Sequence, residues 1–191
     1  MKDYEFLAKL MEDWDGYMGV ESVQATVYTY VLHEFLMSLF HIYAPNHQSN
    51  RVSFLDAYPQ TEFILTLLNS IAKEGTNPKY MNICKGAYPE YEGKNICGYN
   101  VAAAFSKAKK FLEQNISTNP ENWKWGNVHV VYYSNMPWTL TPMKGLFDRQ
   151  VKAGGNSNTP HVSKYQLTKN VGKNMIYSDL TPTYKQLIQF E

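Results

Sequence analysis

The sequence predicts an α+β fold, with helices in the first part of the chain and strands in the last. Up to Pro120, apolar residues recur at steps of three and four, as they do along one face of a helix. After Pro120, β-branched and aromatic residues alternate with polar ones over short runs, which is typical of strands. At 191 residues the chain fits one large domain or part of a bigger one. We therefore predict a single unit over residues 1–191, mainly helical over 1–120 and mainly strands over 121–191.

Four helices are predicted before Pro120. Gly16 and Gly19 interrupt the periodicity after the first helix, and Asn119-Pro120 stops the last. The second helix carries apolar residues on more than one side, which predicts burial on more than one side. The predicted helices span Tyr4–Trp14, Val20 to the residue before Pro45, Thr61–Gly75 and Asn100–Gln114.

Four strands are predicted after Pro120. They span Gly126–Tyr133, His161–Thr168, Asn174–Ser178 and Tyr184–Phe190. The first lies in NWKWGNVHVVYYSN, where alternation predicts two faces. One face holds Trp125, Asn127, His129, Val131 and Tyr133, and the other holds Val128, Val130 and Tyr132. We expect Trp123, Trp125, Gly126 and His129 to form a structural motif, in which Gly126 admits the chain closely under a tryptophan and His129 is hydrogen-bonded.

Composition excludes several classes of function. A net charge of +1 and a pI of about 7.7 provide no field for gathering phosphates, which argues against nucleic acid as a partner. The basic run Lys107–Lys110 lies on a predicted helix, as a solvated face. The longest apolar stretch, Val20–Tyr43, is interrupted by Glu21 and Glu34, so no membrane span is predicted.

Two features favour an oxidising compartment. Cys84 and Cys97, the only cysteines, bracket a turn-rich segment and are predicted to form a disulfide. Asn115-Ile116-Ser117 is an acceptor pattern for N-glycosylation at Asn115. The segment MKDYEFLAKL lacks the parts of a signal peptide, so either the protein is intracellular or the chain does not begin where its precursor began.

Familiar catalytic patterns are incomplete in this chain. His33-Glu34 begins a zinc protease motif, but Met37 stands where the second histidine belongs. The turn from Gly155 to Thr159 has only the first glycine of a serine nucleophile elbow, and Gly154-Gly155 is either an anion-binding nest or a tight turn. Asp13 and Asp15 flank Trp14. The two carboxylates are either a general-acid pair or part of a capped helix end. No metal site and no self-contained active site are predicted.

Three stretches resemble the penicillin amidase (penicillin acylase) family of N-terminal-nucleophile hydrolases, in the C-terminal part of its β chain. LMEDWDGYMG, within Leu10–Phe35, resembles the family's L-x-x-W-D-G-x-M lead into a long helix. WKWGNVHVVYY, Trp123–Tyr133, is similar to its W-x-W-G-x-x-H strand entry. GGNSNT, Gly154–Thr159, resembles its G-G-D-x-x-T turn, with Asn156 in place of aspartate. YKQLI, from Tyr184, resembles the Y-R-Q-I-I strand that follows.

The resemblance implies an αββα sandwich, of which this chain supplies the C-terminal portion, and hydrolysis of the amide bond of an acylated amine. In the family the N-terminal Ser, Thr or Cys of the β chain is the nucleophile, and its α-amino group is the base. An asparagine and a backbone amide hold the oxyanion. None of these maps to this chain, so no catalytic residue is predicted within it. Either an upstream chain of the same precursor supplies them, or the chain is a catalytically inactive binding or assembly module.

The resemblance also implies where a substrate would approach. The cleft candidates lie on two segments and are Trp14, Asp15, Gly16, Gly154, Gly155, Asn156 and Thr159. The implied partners are the upstream chain and a small-molecule amide. No cofactor is expected in this chain, and any calcium of the full assembly would have its ligands upstream. The expected location is secreted or lysosomal.

Overall fold

The computed structural model describes residues 2–40, 66, 69–70, 73, 84–85, 95–157, 159–165, 175–178 and 181. Five helices and a small sheet have both of their bounds among these residues, so the expectation of a mixed α+β chain is confirmed. The helices are α1 (Lys2–Met11), α2 (Val23–Phe40), α3 (Ile96–Asn115), α4 (Trp125–Val128) and α5 (Lys144–Phe147). The strands are β1 (His129–Tyr133), β2 (Arg149–Lys152) and β3 (Ile176–Ser178).

The three long helices pack on one another. Tyr30 of α2 stacks on Phe111 of α3, with ring centroids 5.0 Å apart, and Tyr4 of α1 meets Phe105 of α3 edge-on at 5.5 Å. On α2 the successive residues 25, 26 and 27 are all fully buried. Because successive residues of a helix point about 100° apart, α2 is covered on several sides, as its sequence predicts. The shared core includes Leu7, Val27, Tyr30, Ala108, Leu112, Trp123 and Trp125.

The predicted helix bounds need three corrections. α1 ends at Met11, not Trp14, because the chain enters a turn in which Trp14 N donates to Met11 O. α2 begins at Val23, three residues later than predicted. α3 begins at Ile96, four residues earlier than predicted, because the Asn95 side chain caps it by accepting a hydrogen bond from Gly98 N. Of the predicted helix Thr61–Gly75, only 66, 69, 70 and 73 are described, and each is helical.

The sheet has the order β2-β1-β3. β1 pairs antiparallel with β2, with Tyr133 opposite Arg149, and parallel with β3, with His129 opposite Ile176. The strand predicted for Asn174–Ser178 is therefore present at 176–178. The described part of His161–Thr168 forms only an isolated bridge at Lys164, and its remainder lies outside the described residues, as does Tyr184–Phe190.

The prediction that a strand begins at Gly126 is wrong. Residues 125–128 form the helical turn α4, and the strand begins at His129. The first amides of a helix have no partner within it, and here Trp125 N donates to Ser22 O while Gly126 N donates to Val20 O. Binding to this preceding loop holds the turn in place. The faces predicted for Trp125, Asn127 and Val128 are therefore not strand faces.

Candidate functional site

The three stretches that carried the family resemblance meet at one place. We define the junction as the loop 12–22, the turn 124–126 and the segment 153–156. Besides the hydrogen bonds from residues 125 and 126 to the loop, Gly155 N donates to Met18 O at 2.7 Å. Trp125 Nε1 donates to Gly155 O at 3.0 Å. Three segments that are distant in sequence are thus joined by hydrogen bonds to backbone oxygens.

Two glycines of the junction allow these close approaches. A Cβ placed on Gly126 would lie 2.9 Å from Val20 Cβ and 3.1 Å from Val20 O. Gly155 has a φ of +75°, and a Cβ there would overlap the carbonyl oxygen of His161. A side chain at either position therefore requires the backbone to move. The close approach at Gly126 is to the loop residue Val20.

Trp125 and His129 form the interior of the junction. Both are fully buried, and their rings stack with centroids 4.4 Å apart. His129 Nδ1 lies 3.0 Å from Ala153 O, so this nitrogen carries the hydrogen and donates it. Burial lowers the pKa of His129 from 6.5 to about 4. The ring is therefore neutral near pH 7, hydrogen-bonded within the scaffold as its place on the strand predicts.

Ser163, which the sequence analysis missed, lies beside this histidine. Its Oγ is 3.5 Å from His129 Nε2 and donates to Ser178 Oγ at 3.0 Å. A serine next to a histidine has the composition of a nucleophile and its base. However, both side chains are fully buried, and a carbonyl substrate has no access to them. The pair therefore joins β1, β3 and the 163–165 segment, and it is not a catalytic dyad.

A shallow groove of about 430 Å³ lies along the loop 12–22 of the junction. The predicted cleft residues Trp14 and Asp15 line it, together with Tyr17 and Glu21. Trp14 Nε1 donates to Tyr17 O, and Tyr17 N donates to the Asp15 carboxylate at 2.8 Å. Gly16 between them has a φ of +82°, which suits glycine. This loop conformation exposes the Asp15 carboxylate and the Tyr17 ring at the edge of the groove.

The second predicted cleft segment does not line this groove. A Cβ on Gly154 would lie 3.1 Å from Met18 O, so the 154–156 backbone packs behind the loop that forms the groove. The Thr159 hydroxyl accepts from Asn156 N at 2.9 Å and donates to His161 O at 2.8 Å. Since Gly155 N is bonded to Met18 O as well, these amides are not available to an anion. The tight turn, and not the anion nest, is the correct reading of this segment.

Comparison with known protein families gives a match over almost the whole chain. The family model described as penicillin amidase matches residues 2–191. The chain belongs to the penicillin amidase family. Searches of the curated proteins and of the solved structures find no match. Membership indicates an amidohydrolase-like scaffold. The junction joins the three stretches that resemble the family's motifs.

The penicillin amidase chain contains the predicted disulfide. Cys84 and Cys97 are bonded, with Cα atoms 5.1 Å apart, and both are fully buried. Cys97 lies in the first turn of α3, and Asn100 one turn later donates from Nδ2 to Cys84 O at 2.8 Å. The bond therefore anchors the segment containing Cys84 to the start of α3.

Other predicted features are placed as follows. Asn115 is exposed at the end of α3, where its Nδ2 donates to Phe111 O at 2.9 Å. His33 Nδ1 lies 3.3 Å from the Glu34 carboxylate on α2. In the part of the chain that the structure describes, no three His, Cys, Asp or Glu side chains converge as metal ligands would. None of the helices in that same part is both long and apolar enough to cross a bilayer.

Proposed function

We propose that this chain is the C-terminal segment of an amidohydrolase that cleaves the amide bond of an acylated amine, with the nucleophile supplied by an upstream chain of the same precursor. The match of the penicillin amidase family to residues 2–191 carries the proposal. Its three motifs are bonded into one junction, which supports a retained scaffold. The family is one of precursors processed into several chains, which supports a separate upstream chain.

We assign the chemistry to the upstream chain because the two cysteines and Ser163 of this chain are not available as nucleophiles. Cys84 and Cys97 are bonded to each other, and Ser163 is fully buried. An N-terminal Ser, Thr or Cys upstream attacks the amide carbonyl, with its own α-amino group as base. An upstream asparagine and a backbone amide stabilise the oxyanion. Any calcium of the assembly has its ligands upstream.

The contribution of this chain is to shape the substrate approach. We assign Trp14, Asp15 and Gly16 to the edge of the cleft, since the first two line the groove and Gly16 forms the turn that follows Asp15. Gly154, Gly155, Asn156 and Thr159 support this loop from behind, through Met18 O and their own hydrogen bonds. Changes in the first set should alter KM more than kcat, whereas changes in the second should lower stability.

The assembly purified under native conditions tests the proposal. Intact mass and N-terminal sequencing should find this chain with a second chain that begins in Ser, Thr or Cys. The pair should hydrolyse a panel of N-acylated amines, and replacing the upstream nucleophile by alanine should abolish turnover while the assembly still forms. Finding the 22.0 kDa chain without a partner and without a longer precursor would refute the proposal.

The competing hypothesis is a catalytically inactive, secreted binding or assembly module on the same scaffold. Asn156 favours it, because it replaces the aspartate of the motif that it resembles. The coding sequence upstream of Met1 separates the two hypotheses. A processing site followed by Ser, Thr or Cys, with an asparagine further on for the oxyanion, favours the enzyme. A coding sequence without them favours the binding module.

We further propose that the protein is secreted or lysosomal. The disulfide between buried cysteines supports an oxidising compartment during folding, and the exposed Asn115 offers a glycan room to project from the surface. Alkylation before and after reduction should show both cysteines blocked only in the unreduced protein. Free thiols on both would remove this argument.

A further inference from the structure

The backbone of Tyr17 is fixed on both sides by other residues of the junction. The Asp15 carboxylate accepts a hydrogen bond from Tyr17 N at 2.8 Å, and Trp14 Nε1 donates to Tyr17 O at 3.2 Å. The next residue, Met18, is buried, and its carbonyl oxygen accepts from Gly155 N at 2.7 Å. Two local hydrogen bonds and one from a distant segment therefore hold residue 17 in one backbone conformation.

The side chain of Tyr17 is presented to the groove from this fixed backbone. It is 72% exposed, and it is one of the residues that line the groove. Its ring lies against Gly19, because a Cβ placed on Gly19 would overlap Tyr17 Cε1. The absence of a side chain at position 19 thus sets where the ring lies. An aromatic ring held in this way has few bonds left to immobilise when a ligand binds, which favours binding.

The groove beside this ring carries negative charge. Its lining includes the carboxylates Asp13, Asp15 and Glu21, and none of the described lining residues is basic. Glu21 is paired with Lys124 at 2.6 Å, so its charge is compensated. Asp13 is exposed, and among the described residues its carboxylate has no hydrogen bond or ion pair. Asp13 and Asp15 therefore leave two uncompensated charges beside an exposed aromatic ring.

These groups suit an organic cation and not a metal ion or a neutral ligand. A metal ion needs several converging oxygen ligands, and no three His, Cys, Asp or Glu side chains converge among the described residues. A neutral apolar group would cover the ring but would leave the neighbouring carboxylates partly desolvated and unpaired. A protonated amine on a carbon chain satisfies both, because its charge pairs with the carboxylates and is attracted by the face of the ring.

We propose that Tyr17 determines substrate specificity, and that the amine portion of the substrate carries a second, protonated amino group, which binds at the Tyr17 ring and the carboxylates of Asp13 and Asp15. This inference rests on the proposed function, which supplies the acylated amine. The preferred substrates are therefore acylated diamines. Because the protonated group is remote from the amide carbon, its binding should lower KM and leave kcat nearly unchanged.

Hydrolysis of three matched amides by the natively purified assembly tests the proposal. The amides share one acyl group, and their amine chains are equally long and end in an ammonium, a methyl or a carboxylate group. The ammonium amide should have a KM roughly three-fold to ten-fold below that of the methyl amide, as expected for one cation–π contact together with exposed charge pairs. The carboxylate amide should have the highest KM. High salt should reduce these differences, because it screens exposed charges.

Three variants and a control test whether the ring is the source of this preference. Tyr17→Ala should raise KM for the ammonium amide roughly two-fold to five-fold more than for the methyl amide, whereas Tyr17→Phe keeps the ring and should keep the preference. Gly19→Ala should also weaken the preference, because its Cβ displaces the ring. Tyr133→Ala is the matched control and should leave the preference unchanged, since Tyr133 is exposed but does not line the groove.

The other outcomes overturn the inference in distinguishable ways. If the assembly hydrolyses the three amides with equal KM, or prefers the carboxylate amide, the inference is wrong and the proposed function stands. A preference for the ammonium amide that persists in Tyr17→Ala would show that the ring does not determine specificity. If neither these amides nor the wider panel of N-acylated amines is hydrolysed, the proposed function fails, and the inference fails with it.

Discussion

Acidification should destabilise this protein through His129, and the size of the effect follows from its burial. The pKa of His129 is about 4 in the folded chain, because burial disfavours the imidazolium, against about 6.5 when the chain is unfolded. A histidine whose folded pKa is depressed binds more protons when unfolded. Its contribution is therefore complete above pH 6.5 and is lost as the pH falls from 6.5 toward 4.

The expected loss can be worked out at pH 5, near that of a lysosome. The pKa of His129 is about 4 in the folded chain and about 6.5 in the unfolded chain. Because of this difference, lowering the pH from 7.5 to 5 reduces the free energy of unfolding by about 2 kcal/mol. The full shift corresponds to about 3 kcal/mol below pH 4. For a chain of this length, 2 kcal/mol corresponds to a fall in Tm of roughly 4–8 °C beyond that caused by other groups.

The variant His129→Asn isolates this effect. An asparagine retains a side-chain donor for Ala153 O but does not titrate. We expect it to lower stability at pH 7.5, because it loses the stacking on Trp125, and to lose about 2 kcal/mol less than wild type between pH 7.5 and pH 5. Denaturant unfolding of the purified assembly at both pH values measures the difference. Val128→Ala is the matched control, since it destabilises the same buried region without removing a titratable group.

The reasoning would be wrong if His129→Asn and wild type lost the same free energy over this pH range. It would also be wrong if Val128→Ala reduced the pH dependence as much as His129→Asn does. The first result would mean that His129 is protonated in the folded chain near pH 5. The second would mean that the dependence reports general destabilisation.

Four further predictions follow from particular contacts. Gly126→Ala should cost about 1–3 kcal/mol in thermal unfolding, because its Cβ meets Val20, whereas Gly145→Ala, with nothing within 4 Å, should be neutral or slightly stabilising. Replacing both Cys84 and Cys97 by serine should cost about 3 kcal/mol, as expected for a bond that closes a loop of this length, and an unchanged Tm would contradict the disulfide's role. Asn115→Gln should remove one glycan, which would be measured as a loss of mass after expression in a secretory host. If the wild-type protein has the same mass with and without glycosidase treatment, Asn115 is not glycosylated. Asp148→Asn should speed proteolysis within residues 134–148, because an amide oxygen replaces a carboxylate that accepts three hydrogen bonds. The control variant Asp15→Asn should leave the rate of proteolysis in this segment unchanged.

The recurrence of apolar residues predicted the secondary structure correctly where tertiary packing favours the same structure as the local sequence. The apolar positions of α2 and α3 recur along a helix, and both helices are present within a few residues of the predicted bounds. The pattern failed at residues 125–128, where alternation of apolar and polar residues indicated a strand. Two amides there bind carbonyls of a loop 100 residues earlier, and this long-range contact selects a helical turn. The same limit applies to Ser163, whose neighbours in sequence contain no sign of His129.

The sequence by itself determined the family, the position of the three long helices ahead of the first strand and the pairing of the only two cysteines. The family and the long helices depend on which residue types follow one another along the chain. The disulfide follows because two cysteines allow only one pairing. Only the tertiary structure decided that the three motifs form one junction. It also decided that Trp14 and Asp15 line a groove, which the 154–159 turn supports from behind. The burial of Ser163 beside His129 is a third such outcome. These outcomes depend on which backbone groups find partners across the fold, and hydrogen bonding between distant segments leaves no periodic trace in a sequence.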